Sequence, residues 1–136
     1  MALGERVGES SGKIIGTRVL TPAGEQVQME VSFQGSGNML GAQITDTATY
    51  WQVVRPGGVF YGEGDALWIT SDGESAHFAG FGVGRPTGAF PAGHFAVCGS
   101  VQTTSERLAQ LNSVAIVAEY DVDQDGNYRW TLWEWR

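Results

Sequence analysis

The chain has 136 residues, 42% of them apolar, which is enough to bury a core without disulfides or a structural metal. Eight basic and fifteen acidic residues give it a net charge of −7, and this charge disfavours binding to nucleic acid and to anionic membranes. No apolar stretch approaches the length that crosses a bilayer. We therefore expect one soluble domain over residues 1–136, with neither nucleic acid nor a membrane among its partners.

The cysteine content and the first residues both favour a reducing compartment. Cys98 is the only cysteine, so the chain has no internal disulfide. Residues 1–13, MALGERVGESSGK, contain no apolar segment of the kind that directs export. The expected location is the cytoplasm.

Eight segments have the residue pattern of β-strands, and short turns join most of them. In chain order they are Gly8–Leu20, a segment centred on Val27–Phe33, Ala42–Val54, the two arms of Tyr61–Arg85, His94–Thr104, Val114–Asp123 and Asn127–Trp135. The second strand alternates apolar with polar residues from Val27 to Phe33, which predicts one buried face. In the first and third strands either face fits the interior.

Two further segments do not have a strand pattern. Pro86–Gly93 holds two prolines and two glycines and is predicted to be a loop that caps one end of the fold. Ser105–Leu111 is the only helical pattern, with a serine or threonine cap and two leucines three residues apart. The predicted fold class is therefore all-β, a single eight-stranded antiparallel up-and-down barrel with one short connecting helix.

Glycine occupies every second position in parts of the central hairpin, Tyr61–Arg85, whose arms meet at residues 71–73. These positions are Gly62 and Gly64 on the first arm and Gly80, Gly82 and Gly84 on the second. Side chains alternate between faces along a strand, so the five glycines share one face. That face is either a tight bend of the sheet or the wall of a cavity.

Two Asp-Gly turns predict which residues face the interior. If each is a type I turn followed by a glycine bulge, Thr70 pairs with Glu74 and Asp123 pairs with Asn127. The interior set is then Ala66, Trp68, Ala76, Phe78, the five glycines, Ile116, Ala118, Tyr120, Val122, Tyr128, Trp130, Leu132 and Glu134. Two-residue turns would change which residues share a face.

The candidate site residues lie on the predicted inner face. Ligand contacts are expected from six large side chains: Met29, Phe33, Trp68, Phe78, Tyr120 and Trp130. Glu134 is the candidate catalytic residue, because a carboxyl group buried among apolar residues is suited to proton transfer. The alternative for Glu134 is a position at the mouth of the barrel, in contact with water.

The metal-binding patterns in the sequence are incomplete. Asp121–Gly126 matches the opening D-x-D-x-D-G of a calcium loop, but the twelfth position is Leu132 instead of glutamate. His94 and Cys98 share a strand face but are too far apart to bind one zinc ion. No serine-nucleophile motif is present either. We expect no metal and no cofactor.

Trp133 and Trp135 fall on the outer face of the barrel in the predicted register. Exposed aromatic surface is typical of subunit interfaces. We therefore expect a homodimer or a larger homo-oligomer.

The chain resembles a group of small uncharacterised prokaryotic β-barrel proteins. The resemblance lies in the eight-strand pattern, in the G-E-G-D and G-x-G-x-G arms of the central hairpin and in the ending Trp133-Glu134-Trp135. It implies a barrel of calycin-like or allene-oxide-cyclase-like type. Allene oxide cyclases and the barrel cyclases of polyketide pathways bind an apolar polyene and guide its ring closure with few polar groups.

Three functions remain compatible with the sequence. The first, which we prefer, is binding of a small hydrophobic molecule that Glu134 or Tyr120 orients inside the barrel. The second is a cyclase or isomerase of an apolar substrate, in which Glu134 transfers a proton. The third is a barrel filled by its own side chains that acts as a structural homo-oligomer.

Overall fold

The computed structural model describes residues 3–24 and 26–135 and contains the predicted closed barrel of eight antiparallel strands. The strands are β1 (Leu3–Ala23), β2 (Gln26–Met39), β3 (Ala42–Arg55), β4 (Val59–Thr70), β5 (Ser75–Pro86), β6 (Gly93–Thr103), β7 (Ala115–Val122) and β8 (Asn127–Trp135). Each strand pairs with the next in the chain, and β8 pairs with β1 to close the barrel. The predicted up-and-down architecture is confirmed.

The first strand is longer than predicted and extends past the barrel. It covers Leu3–Ala23, whereas the sequence pattern suggested Gly8–Leu20. Its ladder with β8 ends at Lys13, and its later residues form a ladder with β2 alone. On the part of β2 that belongs to this extension, Val27 is 60% exposed. The buried face predicted for the second strand is therefore correct from Val31 onward and wrong at Val27.

The two Asp-Gly turns have the predicted geometry. The N–H of Thr70 donates to the carbonyl of Glu74 at 2.8 Å, and the N–H of Asp123 donates to the carbonyl of Asn127 at 2.9 Å. The glycine of each turn has a φ of 88° or 84°, in the left-handed region that glycine adopts without steric cost. This geometry confirms the predicted register and the predicted inner faces of β4, β5, β7 and β8.

The third strand, β3, directs its even-numbered residues toward the interior. Ile44, Asp46 and Ala48 are buried and Tyr50 is half-buried. The intervening threonines at 45, 47 and 49 are exposed. A carboxylate is thereby placed inside the barrel.

The short helix predicted at Ser105–Leu111 is a 3₁₀ turn instead of an α-helix, and it overlaps the predicted segment only in the last three residues of that segment. The connection between β6 and β7 contains a 3₁₀ turn at Ala109–Ser113. Leu108 and Leu111 are fully buried in the core, so this connection closes one end of the barrel. Residues three apart share one face of a 3₁₀ turn, and the leucine spacing fits that turn as well as it fits an α-helix.

The loop predicted at Pro86–Gly93 lies between β5 and β6. Successive connections alternate between the two ends of an up-and-down barrel, so this loop lies at the end opposite the 3₁₀ turn. Ala92 in the loop is buried, whereas Phe90 is exposed. Within the described residues, no helix has the length and apolar character needed to cross a bilayer.

Candidate ligand cavity and buried carboxylate

The interior of the barrel contains a cavity of about 70 Å³ beside the glycine-rich arms of β4 and β5. Most of the side chains that line it are apolar or aromatic and belong to the inner face, among them Phe33, Ala48, Tyr50, Ala66, Phe78, Phe95, Val97, Tyr120 and Trp130. Thr49, Glu63, Asp65 and Phe81, which are exposed on the outer face, also belong to the lining. Gly62, Gly64, Gly80 and Gly82 belong to the same lining. The glycine face of the central hairpin therefore forms one wall of a cavity.

The glycines also make room for aromatic rings from neighbouring positions. A Cβ atom at Gly80 would lie 2.8 Å from Cζ of Phe78, and one at Gly84 would lie 2.9 Å from Cδ2 of Phe95. A side chain at either position would displace the ring beside it. Aromatic rings thus fill much of the space above the glycines, which keeps the cavity small.

Two of the side chains that line the cavity are tyrosines. The hydroxyls of Tyr50 on β3 and Tyr120 on β7 lie 3.1 Å apart and share a hydrogen bond. Burial raises the pKa of Tyr50 to about 12, and burial together with the nearby Tyr50 raises the pKa of Tyr120 well above its usual value. Both hydroxyls stay protonated at neutral pH, so the pair can exchange hydrogen bonds with a bound molecule.

A buried carboxylate, Asp46, lies next to the cavity, and the sequence analysis did not single it out. Asp46 is 0% exposed. Its Oδ2 accepts a 2.9 Å hydrogen bond from the indole N–H of Trp130, which lines the cavity. Burial raises the pKa of Asp46 to about 6, although the polar groups of Trp130, Ser10 and Trp68 lower it in part. Asp46 thus titrates near neutral pH, a property that suits a proton donor or acceptor.

Two polar atoms at this position have no hydrogen-bond partner of normal geometry within residues 3–24 and 26–135. They are Oδ1 of Asp46 and Nε1 of Trp68, both fully buried. Asp46 and Trp68 stand directly opposite each other on β3 and β4. An unmet acceptor and an unmet donor therefore lie side by side in the core.

A second pair of hydroxyls lies within electrostatic reach of this carboxylate. Ser10 on β1 and Tyr128 on β8 are 2.6 Å apart and share a hydrogen bond. Burial raises the pKa of Tyr128, the hydrogen bond with Ser10 opposes that effect, and the charge of Asp46 adds to it. The interior therefore holds a group of polar side chains, Ser10, Asp46 and Tyr128, in addition to the hydroxyl pair of Tyr50 and Tyr120.

Four of the six predicted ligand residues line the cavity: Phe33, Phe78, Tyr120 and Trp130. Trp68 lies behind this lining, with its ring centroid 5.8 Å from that of Phe78 and 6.3 Å from that of Trp130. Met29 is half-buried and is not part of the lining. It pairs with Val19, in the part of β1 that extends past the barrel. The alternation of residues along the strand predicts which face Met29 lies on but not its position along the barrel axis.

Glu134 is buried but does not line the cavity. It is 2% exposed and pairs with Ile116 on β7. A Cβ atom at Gly4 would lie 2.7 Å from Cγ of Glu134, which places the carboxyl group where β1 begins. The cavity therefore does not bring Glu134 together with Tyr120 and Trp130.

One feature of the sequence pointed to Asp46. Asp46 alternates with three threonines, at 45, 47 and 49, and shares its face with Ile44 and Ala48. Threonine is β-branched and polar, which suits the solvent side of a sheet. If the threonine face is taken as the exterior, Asp46 falls inside.

The segment that resembles the start of a calcium loop is a hairpin turn. The side chain of Asp123 accepts hydrogen bonds from the backbone N–H groups of Asp125 and Asn127, each at 2.9 Å. The side-chain amide of Asn127 and these backbone groups hold the pKa of Asp123 below its usual value. Nearby, Nδ1 of His94 lies 2.7 Å from a carboxylate oxygen of Asp121. In the described part of the chain, no cluster of three or more His, Cys, Asp or Glu side chains could hold a metal ion.

Several solved structures share this fold. The chain is similar to a conserved protein of unknown function from Rhodopseudomonas palustris, with a TM-score of 0.81 and 14% identity over 98% of both chains. It is similar to a beta-barrel like protein from Acinetobacter baumannii, with a TM-score of 0.81 and 13% identity over 98% of this chain and 94% of that one. An enzyme from Penicillium herquei matches with a TM-score of 0.65 and 16% identity over 96% of this chain and 92% of that one.

These similarities place the chain among small closed β-barrel proteins, and at such low identity they concern the fold alone. No protein-family model matches the chain, and no match was found among curated proteins. The expected likeness to small barrel proteins of unknown function is confirmed.

Proposed function

We propose that the protein binds a small, mainly apolar molecule inside the barrel. The observation that carries this proposal is the cavity, whose lining combines aromatic and aliphatic side chains with the hydroxyl pair of Tyr50 and Tyr120. Binding sites for small molecules usually have this composition, an apolar wall with a few polar groups that fix orientation. In this proposal the tyrosine pair takes the orienting role that the sequence analysis gave to Glu134 or Tyr120.

The size of the cavity limits the ligand. Its volume of about 70 Å³ is roughly half that of an engineered cavity of about 150 Å³ that binds benzene. A ligand as large as a substituted benzene must therefore move aromatic side chains. Phe78 and Phe95 are the candidates, because their rings lie over glycines and have no side chain beneath them.

Two probes of different size test this proposal. Xenon, followed by ¹²⁹Xe NMR, tests the cavity in its present shape, and toluene, followed by calorimetry, tests whether the rings move. Ala66→Val adds two carbon atoms to the lining, whereas Ala79→Val makes the same change on the exposed face of β5. We expect saturable binding that Ala66→Val weakens at least tenfold and Ala79→Val leaves unchanged.

Failure of both probes to bind would contradict the proposal. A barrel filled by its own side chains, the third of the functions that the sequence allowed, would then be the better description. Equal losses of binding in Ala66→Val and Ala79→Val would place the probes outside the barrel and would contradict the proposal as well.

A second candidate function is proton transfer to a substrate in the cavity, as in a cyclase or isomerase. The observation in its favour is Asp46, whose raised pKa of about 6 and contact with Trp130 put an ionisable group beside the lining. The enzyme from Penicillium herquei shows that a protein of this fold can be an enzyme. If Asp46 exchanges the proton, Asp46→Asn abolishes turnover of a substrate identified by screening and keeps its binding. Turnover that survives this change would contradict the candidate function.

Three further expectations from the sequence remain part of the proposal. They are a calycin-like or allene-oxide-cyclase-like relationship, a cytoplasmic location and a homo-oligomeric state. The closed eight-stranded barrel supports the first. The exposed, unpaired Cys98 supports a reducing location. Trp135, 40% exposed on the outer face, supports association between copies of the chain.

A further inference from the structure

We propose that Oδ1 of Asp46 and Nε1 of Trp68 together form a binding site for one hydroxyl group, which a ligand of the neighbouring cavity supplies. The inference rests on the proposed ligand-binding function and deepens it. It assigns the ligand to a chemical class, small apolar molecules that carry an alcohol or phenol group at one end.

Asp46 and Trp68 have complementary hydrogen-bonding capacity. Oδ1 of Asp46 can only accept when the carboxyl group is ionised, and Nε1 of Trp68 can only donate. Each is fully buried and has no partner of normal geometry among the residues that the structure describes. A hydroxyl group donates one hydrogen bond and accepts another, so a single hydroxyl between these atoms satisfies both.

Asp46 and Trp68 lie next to the cavity lining. Asp46 and Trp68 are directly paired, and the next inward-facing pair on the same two strands is Ala48 and Ala66. Both alanines line the cavity, so the Asp46 and Trp68 pair lies one inward-facing pair beyond the lining. Trp130 lines the cavity and also donates to the other oxygen of Asp46. The carboxylate is therefore one side chain away from a bound molecule.

Other polar side chains lie near Asp46. Trp130 already occupies Oδ2, and the hydroxyl of Ser10 is shared with Tyr128 at 2.6 Å. Ser10 and Trp68 also act on the carboxylate of Asp46, yet neither makes a hydrogen bond of normal geometry to Oδ1. A water molecule has the same hydrogen-bonding capacity as the hydroxyl of a ligand, and the experiment must separate these two sources.

The test compares phenol with toluene, which have nearly the same shape and differ in the hydroxyl group. In the unmodified protein we expect phenol to bind at least as tightly as toluene by calorimetry, although an ordinary apolar cavity favours toluene. Trp68→Phe removes the indole N–H and should weaken phenol binding about fivefold to tenfold, while toluene binding changes less than twofold. Trp51→Phe, the same substitution at a half-buried position with no part in the cavity lining, should change neither.

The outcomes separate this inference from the function on which it rests. If both probes bind but Trp68→Phe weakens them equally or not at all, the hydroxyl site is overturned and the ligand-binding proposal stands. If phenol and toluene both fail to bind the unmodified protein, the hydroxyl site is overturned; if xenon fails to bind as well, the ligand-binding proposal is overturned with it.

A measurement on the unmodified protein covers the case in which Trp68→Phe does not fold. The indole N–H resonance of Trp68 should move downfield when phenol is added and should move much less with toluene. A crystal structure of the phenol complex should place the phenol oxygen within hydrogen-bond distance of both Asp46 and Trp68. A water molecule at that place, with the phenol oxygen elsewhere, would overturn the inference.

Discussion

The carboxylate of Asp46 accepts a hydrogen bond of 2.9 Å from the indole N–H of Trp130, and the ring of Trp130 lines the cavity. Trp130 therefore contacts both the fully buried carboxylate of Asp46 and the candidate ligand site. Any change in the ionisation of Asp46 therefore acts both on the stability of the barrel and on one wall of the cavity.

The first prediction concerns the pH dependence of folding. The pKa of Asp46 rises from 3.8 to about 6 in the folded protein, chiefly because of burial. The folded state thus holds this proton more tightly than the unfolded chain, and the stabilisation is full below about pH 4 and lost as the pH rises toward 6. At pH 7 the uncharged variant Asp46→Asn should exceed the parent protein in free energy of unfolding by up to about 3 kcal/mol.

Urea unfolding of both proteins between pH 4 and pH 7 measures this effect. The difference in stability between Asp46→Asn and the parent protein should shrink as the pH falls from 7 to 4, because Asp46 becomes neutral in the folded parent. Other carboxyl groups, such as Asp123 with its lowered pKa, are common to both proteins and cancel in the difference. A difference that stays constant over this range would mean that Asp46 does not titrate with a raised pKa.

The second prediction concerns the hydroxyl pair in the cavity wall. Tyr120→Phe removes one hydroxyl and leaves the hydroxyl of Tyr50 without its 3.1 Å partner. We expect a loss of about 1 kcal/mol in the free energy of unfolding, and a similar loss for Tyr50→Phe. The double variant should lose clearly less than the sum of the two, because the hydrogen bond is lost only once.

Urea denaturation of the two single variants and the double variant gives this comparison. The control is Tyr61→Phe on the outer face, where the hydroxyl donates to Glu63 in contact with solvent. Its effect on stability should be close to zero. Strict additivity of Tyr50→Phe and Tyr120→Phe would show that the two hydroxyls are independent.

Local turn chemistry explains why the hairpin registers could be predicted. In each Asp-Gly turn the loop length and the glycine fix the pairing within a few residues, which is why the partners of Thr70 and Asp123 were correct. No turn of this kind fixes the face of β3, and the only local signal is the preference of the threonines at 45, 47 and 49 for the solvent side. The pairing with neighbouring strands establishes which side meets the core.

The size of the cavity is even harder to predict from the sequence than the face of β3. The five glycines of the central hairpin indicated that side-chain volume is missing on one face. Part of this space is occupied by the ring of Phe78, which lies two residues before Gly80 on the same face. Its orientation depends on packing against Trp68 and Trp130, at centroid distances of 5.8 and 5.4 Å. Such packing involves three strands at once, so no local pattern predicts it.

The third prediction tests how closely the glycine wall is packed. A methyl group at Gly80 would meet both the ring of Phe78 and the backbone carbonyl of Cys98. We expect Gly80→Ala to lower the free energy of unfolding by about 1–3 kcal/mol. Gly16→Ala is the matched control, because a Cβ atom at Gly16 on β1 would have nothing within 4 Å. Its effect should be neutral or slightly stabilising.

Thermal or urea unfolding of Gly80→Ala and Gly16→Ala measures this contrast. If Gly80→Ala proved as stable as the parent protein, both the Phe78 ring and the backbone at Cys98 would have to yield to the methyl group, and this wall of the cavity would then be more adaptable in solution than in the structure. Such a result would also raise the size of ligand that the barrel is expected to accept.

The fourth prediction concerns association through the outer face of β8. Trp133 is half-buried and Trp135 is 40% exposed, and both point away from the interior. If these rings form a subunit interface, replacing both with serine removes apolar contact area worth several kcal/mol and should dissociate the assembly. Analytical ultracentrifugation should then give the mass of one chain for the variant and a multiple of it for the parent protein.

A control for this experiment replaces exposed apolar residues elsewhere on the barrel. Leu67 and Ile69 on the outer face of β4 are 42% and 40% exposed, close to the value of Trp135. Serine at both positions should leave the mass of the parent assembly unchanged. If this control dissociates the assembly and the tryptophan variant does not, the interface lies on β4. If the parent protein already sediments as one chain, the outer tryptophans have a different role and the oligomer prediction is wrong.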